Sequence, residues 1–366
     1  MNINVEYRNE TGFVNFFNKI RNKTVALMYD VNTLPYATNL KKQLLENGAL
    51  VIDIYYPDKE LLPTEDKCDY AFTLAKNADY VLAVGSGTLN DMAKSIATRH
   101  GVPSGVFPTA ASMDGYCSKG SALMRKGIKV TDEVNMPKDV LIDNEVICSA
   151  PPIMTAAGFG DIIGKFTCLA DWETANAVNG ETIDDEAYKM MEEARSACLN
   201  AFDGLVKYEK SAVEKLMNAL ITAGLSMAIC GNSRPASGSE HHQSHFLEMD
   251  FARRGETIPP HGLKVAIGTL VSLELYRYIK DNKIQFKGDK QVYKIADKLP
   301  TIEKVSEMLE KMGCPIRFSQ LGVRKETMED MIENAYTVRN RYTILTLIHD
   351  LNLTKQIKPI IMEKYF

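Results

Sequence analysis

The sequence predicts an α/β domain built on a parallel sheet, followed by an all-α domain. Two observations carry this. In the first 150 residues, short apolar runs alternate with helical patterns, as parallel βαβ units require. Beyond Pro151 and Pro152, β-branched runs become rare and long amphipathic patterns take over. The twin prolines therefore divide the chain into an α/β unit over 1–150 and a helical unit over 151–366.

The elements follow in order. TVALMYD reads as a strand ending at Asp30, and Pro35 to Asn47 has helical spacing with Gly48 as its stop. LVIDIYY (Leu50 to Tyr56) is a second strand, and Asp66 to Lys76 a helix. YVLAVG (Tyr80 to Gly85) is a third strand, running into a glycine turn and a helix from about Leu89 to His100. VPSGVFPT and VLID (Val140 to Asp143) are further strands. In the second half, Glu186 to Tyr208, Ala212 to Ala228, Leu263 to Lys280, Thr301 to Met312 and Lys325 to Asn340 read as helices.

Composition narrows the function classes. A chain of 366 residues, 45% hydrophobic and 25% charged, has material for a sizeable core. A formal net charge of -4 argues against a nucleic-acid binder. The seven cysteines are scattered, odd in number and form no CxxC pair, so neither a disulfide framework nor a cysteine zinc site is expected. Reduced thiols in a cytoplasmic protein are the simpler reading. The N-terminus, MNINVEYRNETGFVNFF, has no apolar core for a signal peptide. No run approaches the ~18 uninterrupted apolar residues of a membrane span, so membrane insertion is not expected.

Two constellations carry chemistry. The first is the turn Gly85-Ser86-Gly87-Thr88 between a strand and a helix bearing Asn90, Asp91 and Lys94. Glycines let backbone N–H groups approach phosphate oxygens, and a helix start adds an electropositive end. The six-residue dinucleotide fingerprint is absent, and a plain tight turn explains the same pattern. Asp30, ending its strand, could meet an adenosine ribose or simply cap the next helix.

The second constellation is a set of metal donors. GFGD places Asp161 after a glycine pair, near an expected helix start. SGSEHHQSH places His241 and His245 four apart, on one face if that segment is helical, and IPPHG places His261 at the start of another helix. A carboxylate and two imidazoles can hold a divalent metal and leave positions open, as a catalytic site requires. Helix capping or polar filling accounts for any one of these histidines alone. Four of the six histidines within 21 residues weaken that alternative. His242 should point away from the His241/His245 face, and His100 and His349 lie elsewhere.

Taken together, VGSGTLNDMAK, PTAASMDG (Pro108 to Gly115), SAPPIMTAAGFGDIIGKFTCLADWETA, SRPASGSEH and PPHGLKVAIGT resemble the superfamily of iron-type alcohol dehydrogenases, glycerol dehydrogenases and dehydroquinate synthases. Within it they are most similar to the sn-glycerol-1-phosphate dehydrogenase family. The resemblance implies a dehydroquinate synthase-like fold with its active site between the two domains. It implies NAD or NADP on Gly85, Ser86, Gly87, Asn90 and Asp91, with Thr109 and Ser112 near the ribose or nicotinamide. It implies one divalent metal on Asp161, His241 and His261, catalytic contacts from Asp114 to substrate hydroxyls, and a proton-handling or supporting place for His245. A homodimer is implied as well. Iron-dependent cousins carry a further His where Lys165 stands here, so zinc, or else nickel, is expected ahead of iron.

The expected reaction is reversible reduction of dihydroxyacetone phosphate to sn-glycerol 1-phosphate. A dehydrogenase for an unphosphorylated polyol such as glycerol is the first alternative, and a dehydroquinate synthase-like lyase the second. A catalytically inert relative is a third, opposed by the complete metal set. Arg234, Arg253, Arg254, Lys119 and Lys264 are the cations expected to be available to the phosphate.

Overall fold

Strands covered on both faces need apolar residues at every position, not at alternate ones. YVLAVG meets that requirement, and all six of its residues are buried. The computed structural model describes residues 3–126, 128–284 and 292–366. It contains six parallel strands in the order β1-β8-β5-β4-β2-β3. These are β1 (Asn4–Tyr7), β2 (Thr24–Asp30), β3 (Leu50–Tyr56), β4 (Tyr80–Gly85), β5 (Ser104–Pro108) and β8 (Asp139–Ile142). An antiparallel hairpin of β6 (Gly120–Arg125) and β7 (Ile128–Glu133) stands apart from the sheet.

The strand order sets where a ligand can lie. From β2 the chain moves outward to β3, then returns to place β4 on the other side of β2 and continues to β5. The direction of winding therefore reverses between β2 and β4. In open α/β sheets that reversal leaves a crevice at the carboxyl ends of the strands. Here those ends are Asp30 and Gly85.

Among the described residues, every regular element after β8 is helical. The ones that shape the site are α1 (Gly87–His100) in the first half, then α2 (Pro152–Ile163), α3 (Lys165–Asn179), α4 (Lys210–Cys230), α5 (Ser239–Arg254) and α6 (His261–Asp281). Side chains of β2 alternate between two cores, as strand geometry dictates. Val25, Leu27 and Tyr29 join a small cluster with Phe13, Phe16, Phe17 and Ile20, whereas Ala26 and Met28 join the large core that continues through the helical half.

Pro152–Asn179 and Lys210–Cys230 are each long and apolar enough to cross a bilayer by length and composition, but 83% and 61% of their most apolar windows are buried inside the molecule. Helices apolar on all sides belong in a core as readily as in lipid.

Candidate metal centre and nucleotide cleft

Glycines bring the metal donors together. A methyl group on Gly160 would lie 2.4 Å from the Gly262 carbonyl oxygen, and one on Gly262 would lie 1.8 Å from that of Ala157. Only hydrogen fits at those places, so α2 and α6 touch backbone to backbone. Asp161 follows Gly160 and His261 precedes Gly262, so this close approach sets the carboxylate beside the imidazole. The third donor, His241, comes from the first turns of α5. One ligand atom from each of Asp161, His241 and His261 falls within 4.8 Å of the other two. His241 Nε2 is 3.6 Å from Asp161 Oδ1. Asp161 lies in the last turn of α2, not near a helix start as expected.

Two carboxylates absent from the sequence reading orient the rings. His241 Nδ1 is 2.8 Å from Glu240 Oε1, and His261 Nδ1 is 2.8 Å from Glu248 Oε1. Each carboxylate takes the Nδ1–H and leaves Nε2 as the free donor, the arrangement usual behind metal-binding imidazoles. Glu240 also accepts from Gly238 N at 2.7 Å and Thr167 Oγ1 at 2.7 Å. Glu248 is held by Lys129, by Lys264 at 3.4 Å and by Ser244 at 3.4 Å. Burial, then the neighbouring Lys165 charge, pulls His241 well below its ordinary pKa, so the ring is neutral as a ligand must be. Burial alone would raise the Asp161 carboxyl, but the Lys165 ammonium beside it holds it below the usual range. A buried carboxylate and two imidazoles with converging nitrogens fit a divalent transition metal.

His245 completes the imidazole cluster. Its ring centroid is 5.6 Å from His261 and 6.3 Å from His241. His242, one residue past His241, is wholly buried with both ring nitrogens unpartnered. Lys165 occupies the heart of the site. Its ammonium donates to Asp161 Oδ1 at 2.9 Å, to Asp114 Oδ2 at 2.5 Å and to the Ala236 carbonyl at 2.9 Å. Asp114 also donates its backbone N–H to Asp161 Oδ2 at 2.9 Å. Its Oδ1 takes no hydrogen bond among the described residues.

The glycine turn lies where the winding reverses. Gly85 closes β4, Ser86 precedes α1 without capping it by its side chain, and Gly87 opens the helix. Thr109 N–H donates to the Gly85 carbonyl at 3.3 Å, so the loop after β5 borders the same turn. Ser112 is buried further along that loop. Asn90 Nδ2 donates to Gly115 O at 3.2 Å, and its buried Oδ1 has no partner. Asp91 is engaged differently. Its carboxylate accepts from Ala122 N at 3.0 Å and pairs with the buried Lys94 at 2.9 Å, pinning the β6–β7 hairpin to α1. Asp30 Oδ1 accepts from Asn32 N, Thr33 N and Thr33 Oγ1, all within 3.0 Å, so it braces the turn before the helix Leu34–Glu46, whose N-cap position belongs to Thr33.

The cations expected for a phosphate are largely spent. Arg234 donates to the Asp171 and Tyr342 carbonyls, both at 2.9 Å, and pairs with Glu181 at 2.8 Å. Arg253 and Arg254 pair with Asp250 at 2.7 and 2.8 Å. Lys264 donates to the Pro259 carbonyl beside Glu248. No hydrogen bond or ion pair ties the Lys119 side chain to the cluster among the described residues. Two guanidiniums not foreseen, Arg339 and Arg341, stand beside it instead, with Arg339 3.4 Å from His245 Nε2.

Comparison with known proteins identifies the family. The family model for iron-containing alcohol dehydrogenase matches residues 10–151. A glycerol-1-phosphate dehydrogenase [NAD(P)+] of Bacillus licheniformis is 34% identical over 336 residues, covering 90% of this chain and 84% of its own. The protein of the same name from Bacillus subtilis is 30% identical over 346 residues, covering 92% and 88%. Among solved structures, glycerol dehydrogenase from Schizosaccharomyces pombe shares the fold, with a TM-score of 0.71 at 19% identity over 97% of this chain and 89% of that one. The chain belongs to the glycerol-1-phosphate dehydrogenase [NAD(P)+] family, within the iron-containing alcohol dehydrogenases.

Proposed function

We propose that the chain reversibly reduces dihydroxyacetone phosphate to sn-glycerol 1-phosphate with NADH or NADPH, using a divalent ion on Asp161, His241 and His261. The observation that carries this is the convergence of those three donor atoms within 4.8 Å, in a chain whose relatives bear the corresponding name. When bound, the ion supplies Lewis-acid polarisation of the substrate carbonyl and the nicotinamide supplies the hydride. Two imidazoles and one carboxylate, with Lys165 where a further imidazole would stand, suit zinc or nickel ahead of iron.

The chain's own residues do the rest. Gly85, Ser86 and Gly87 cradle the pyrophosphate with backbone N–H groups at the α1 start. Asn90 Oδ1, Thr109 and Ser112 line the path toward the nicotinamide, and Asp30 offers its remaining oxygen to a ribose hydroxyl. Asp91 supports the cradle by holding Lys94 and the hairpin. Asp114 Oδ1 accepts a substrate hydroxyl while Lys165 holds the other oxygen. His245 handles the proton that ends on the product hydroxyl. The seven free thiols fit a reducing, cytoplasmic setting.

Two measurements test this reading. NAD(P)H oxidation should be at least ~100-fold more efficient, by kcat/KM, with dihydroxyacetone phosphate than with dihydroxyacetone, since a buried charge contact is worth about 2–5 kcal/mol. A preference for the unphosphorylated ketone sinks the proposal. Glu240→Gln should weaken metal affinity about 10- to 100-fold, because the ring of His241 loses its anionic partner. Competition against a chromogenic chelator reads this out, and unchanged affinity would remove Glu240 from the metal site.

A further inference from the structure

Buried charges are normally paired, because an unpaired one gives up its hydration for nothing. Arg339 and Arg341, both half-buried, depart from that pattern. Both come from the segment between the turn Ala335–Thr337 and the helix Ile344–Asp350, and neither has a carboxylate within 4 Å among the described residues. Their partners are neutral. Arg339 reaches Ser233 Oγ at 3.2 Å, Thr131 Oγ1 at 3.4 Å and His245 Nε2 at 3.4 Å. Arg341 reaches the Ser237 carbonyl at 2.5 Å and Ser233 Oγ at 3.1 Å. The two guanidiniums thus share one serine hydroxyl. Ser237 is 3% exposed, and its buried Oγ is left without a partner among the described residues. Carboxylates whose fields reach this place are already committed: Glu248 to Lys129, Lys264 and His261, and Glu181 to Arg234.

We propose that Arg339 and Arg341, with Ser233 and Ser237, form the subsite for the substrate's phosphate. The assignment rests on the reduction proposed above and names how the phosphorylated ketone is selected. Two neighbouring cations without a carboxylate, beside an unused hydroxyl, suit a dianion that accepts several hydrogen bonds. A planar guanidinium meets two phosphate oxygens at once. The position also fits the length of the substrate. In dihydroxyacetone phosphate only a methylene and an ester oxygen separate the carbonyl carbon from phosphorus. Arg339 is correspondingly one side chain, His245, away from the His261 ring of the metal trio.

The test compares kcat/KM for dihydroxyacetone phosphate and for dihydroxyacetone in wild type and variants. Arg339→Gln should lower the phosphate preference about 100-fold, mainly through KM, because the contact is made equally before and during hydride transfer. Arg339→Lys should recover part of it, retaining charge without the two-pronged geometry. Arg253→Gln, at an exposed arginine paired with the buried Asp250, should leave the preference as it is. Inorganic phosphate should compete with the substrate in wild type and much more weakly in Arg339→Lys, with the melting temperature of each protein measured alongside. An Arg339→Gln enzyme that retains the preference overturns the subsite, as does one that loses both substrates equally with an unchanged melting temperature. A wild type without any phosphate preference instead overturns the underlying reaction.

Discussion

His261→Ala should yield a protein that still binds nucleotide, retains little or no divalent ion and has lost about 10³-fold or more of its kcat/KM with dihydroxyacetone phosphate. Of the three donors, His261 makes the cleanest test. Asp161 and His241 are buried in the contacts between helices, and Asp161 also anchors the Asp114 backbone at 2.9 Å. The His261 side chain is 26% exposed and makes its main internal contact through Nδ1 to Glu248. Its removal should therefore affect the fold little. With two donors left, the ion is held too weakly to survive purification, and the loss of carbonyl polarisation, worth several kcal/mol, appears in the rate. Elemental analysis counts the ion, quenching of NAD(P)H fluorescence reports the nucleotide, and initial rates report the reaction. A chelator should bring wild type to the same state, with activity returning on re-addition of zinc or nickel. Full activity with undiminished metal in His261→Ala would place the chemistry elsewhere.

The same geometry shows what a sequence can disclose. β2 and β4 are readable to the residue because strands buried on both faces are written as nearly unbroken apolar runs, and β3, though at an edge, is readable from its dense β-branched and aromatic residues. β1, with the sequence NVEY, lies at a sheet edge and carries no such run. α2 and α3 were not foreseen as separate helices: they are buried almost all round, and a helix without a polar face shows no 3.6-residue period. The Lys325 to Asn340 pattern ends early, at Asn334, and the segment beyond it is what delivers Arg339 and Arg341. In the site, Asp161, His241 and His261 stand out because four of the six histidines fall within 21 residues and because the motifs that carry these three residues resemble a known family. Glu240 and Glu248 were legible in principle. They flank His241 on one helix, with Glu248 two turns along the face shared by His241 and His245. Arg339 was not, since its place beside His245 is set by packing between residues 94 apart in sequence.

Lys165→Met should cost about 3–5 kcal/mol of stability in metal-free protein and substantially less once a divalent ion is added. The lysine is wholly buried, and its three ammonium hydrogens meet three acceptors: Asp114, Asp161 and the Ala236 carbonyl. Burial by itself would favour the neutral amine, but the two carboxylates reverse that and raise its pKa. A methionine fills similar volume with no charge. Two adjacent carboxylates and one carbonyl are then buried without their donor, the situation in which breaking a buried pair is most costly. A divalent ion on Asp161 restores positive charge at one end of the vacated pair, so the stabilisation it confers should be larger in Lys165→Met than in wild type. Lys165 already occupies Asp161 Oδ1, so an ion held by Asp161 would share that carboxylate with the lysine, and the lysine would stabilise the metal-free fold at some expense of metal affinity. Chemical denaturation of both proteins, with chelator and with saturating zinc, measures the four stabilities needed. Equal stabilisation of both proteins by zinc would mean that Lys165 and the ion do not share Asp161, and the role given to this lysine would have to be abandoned.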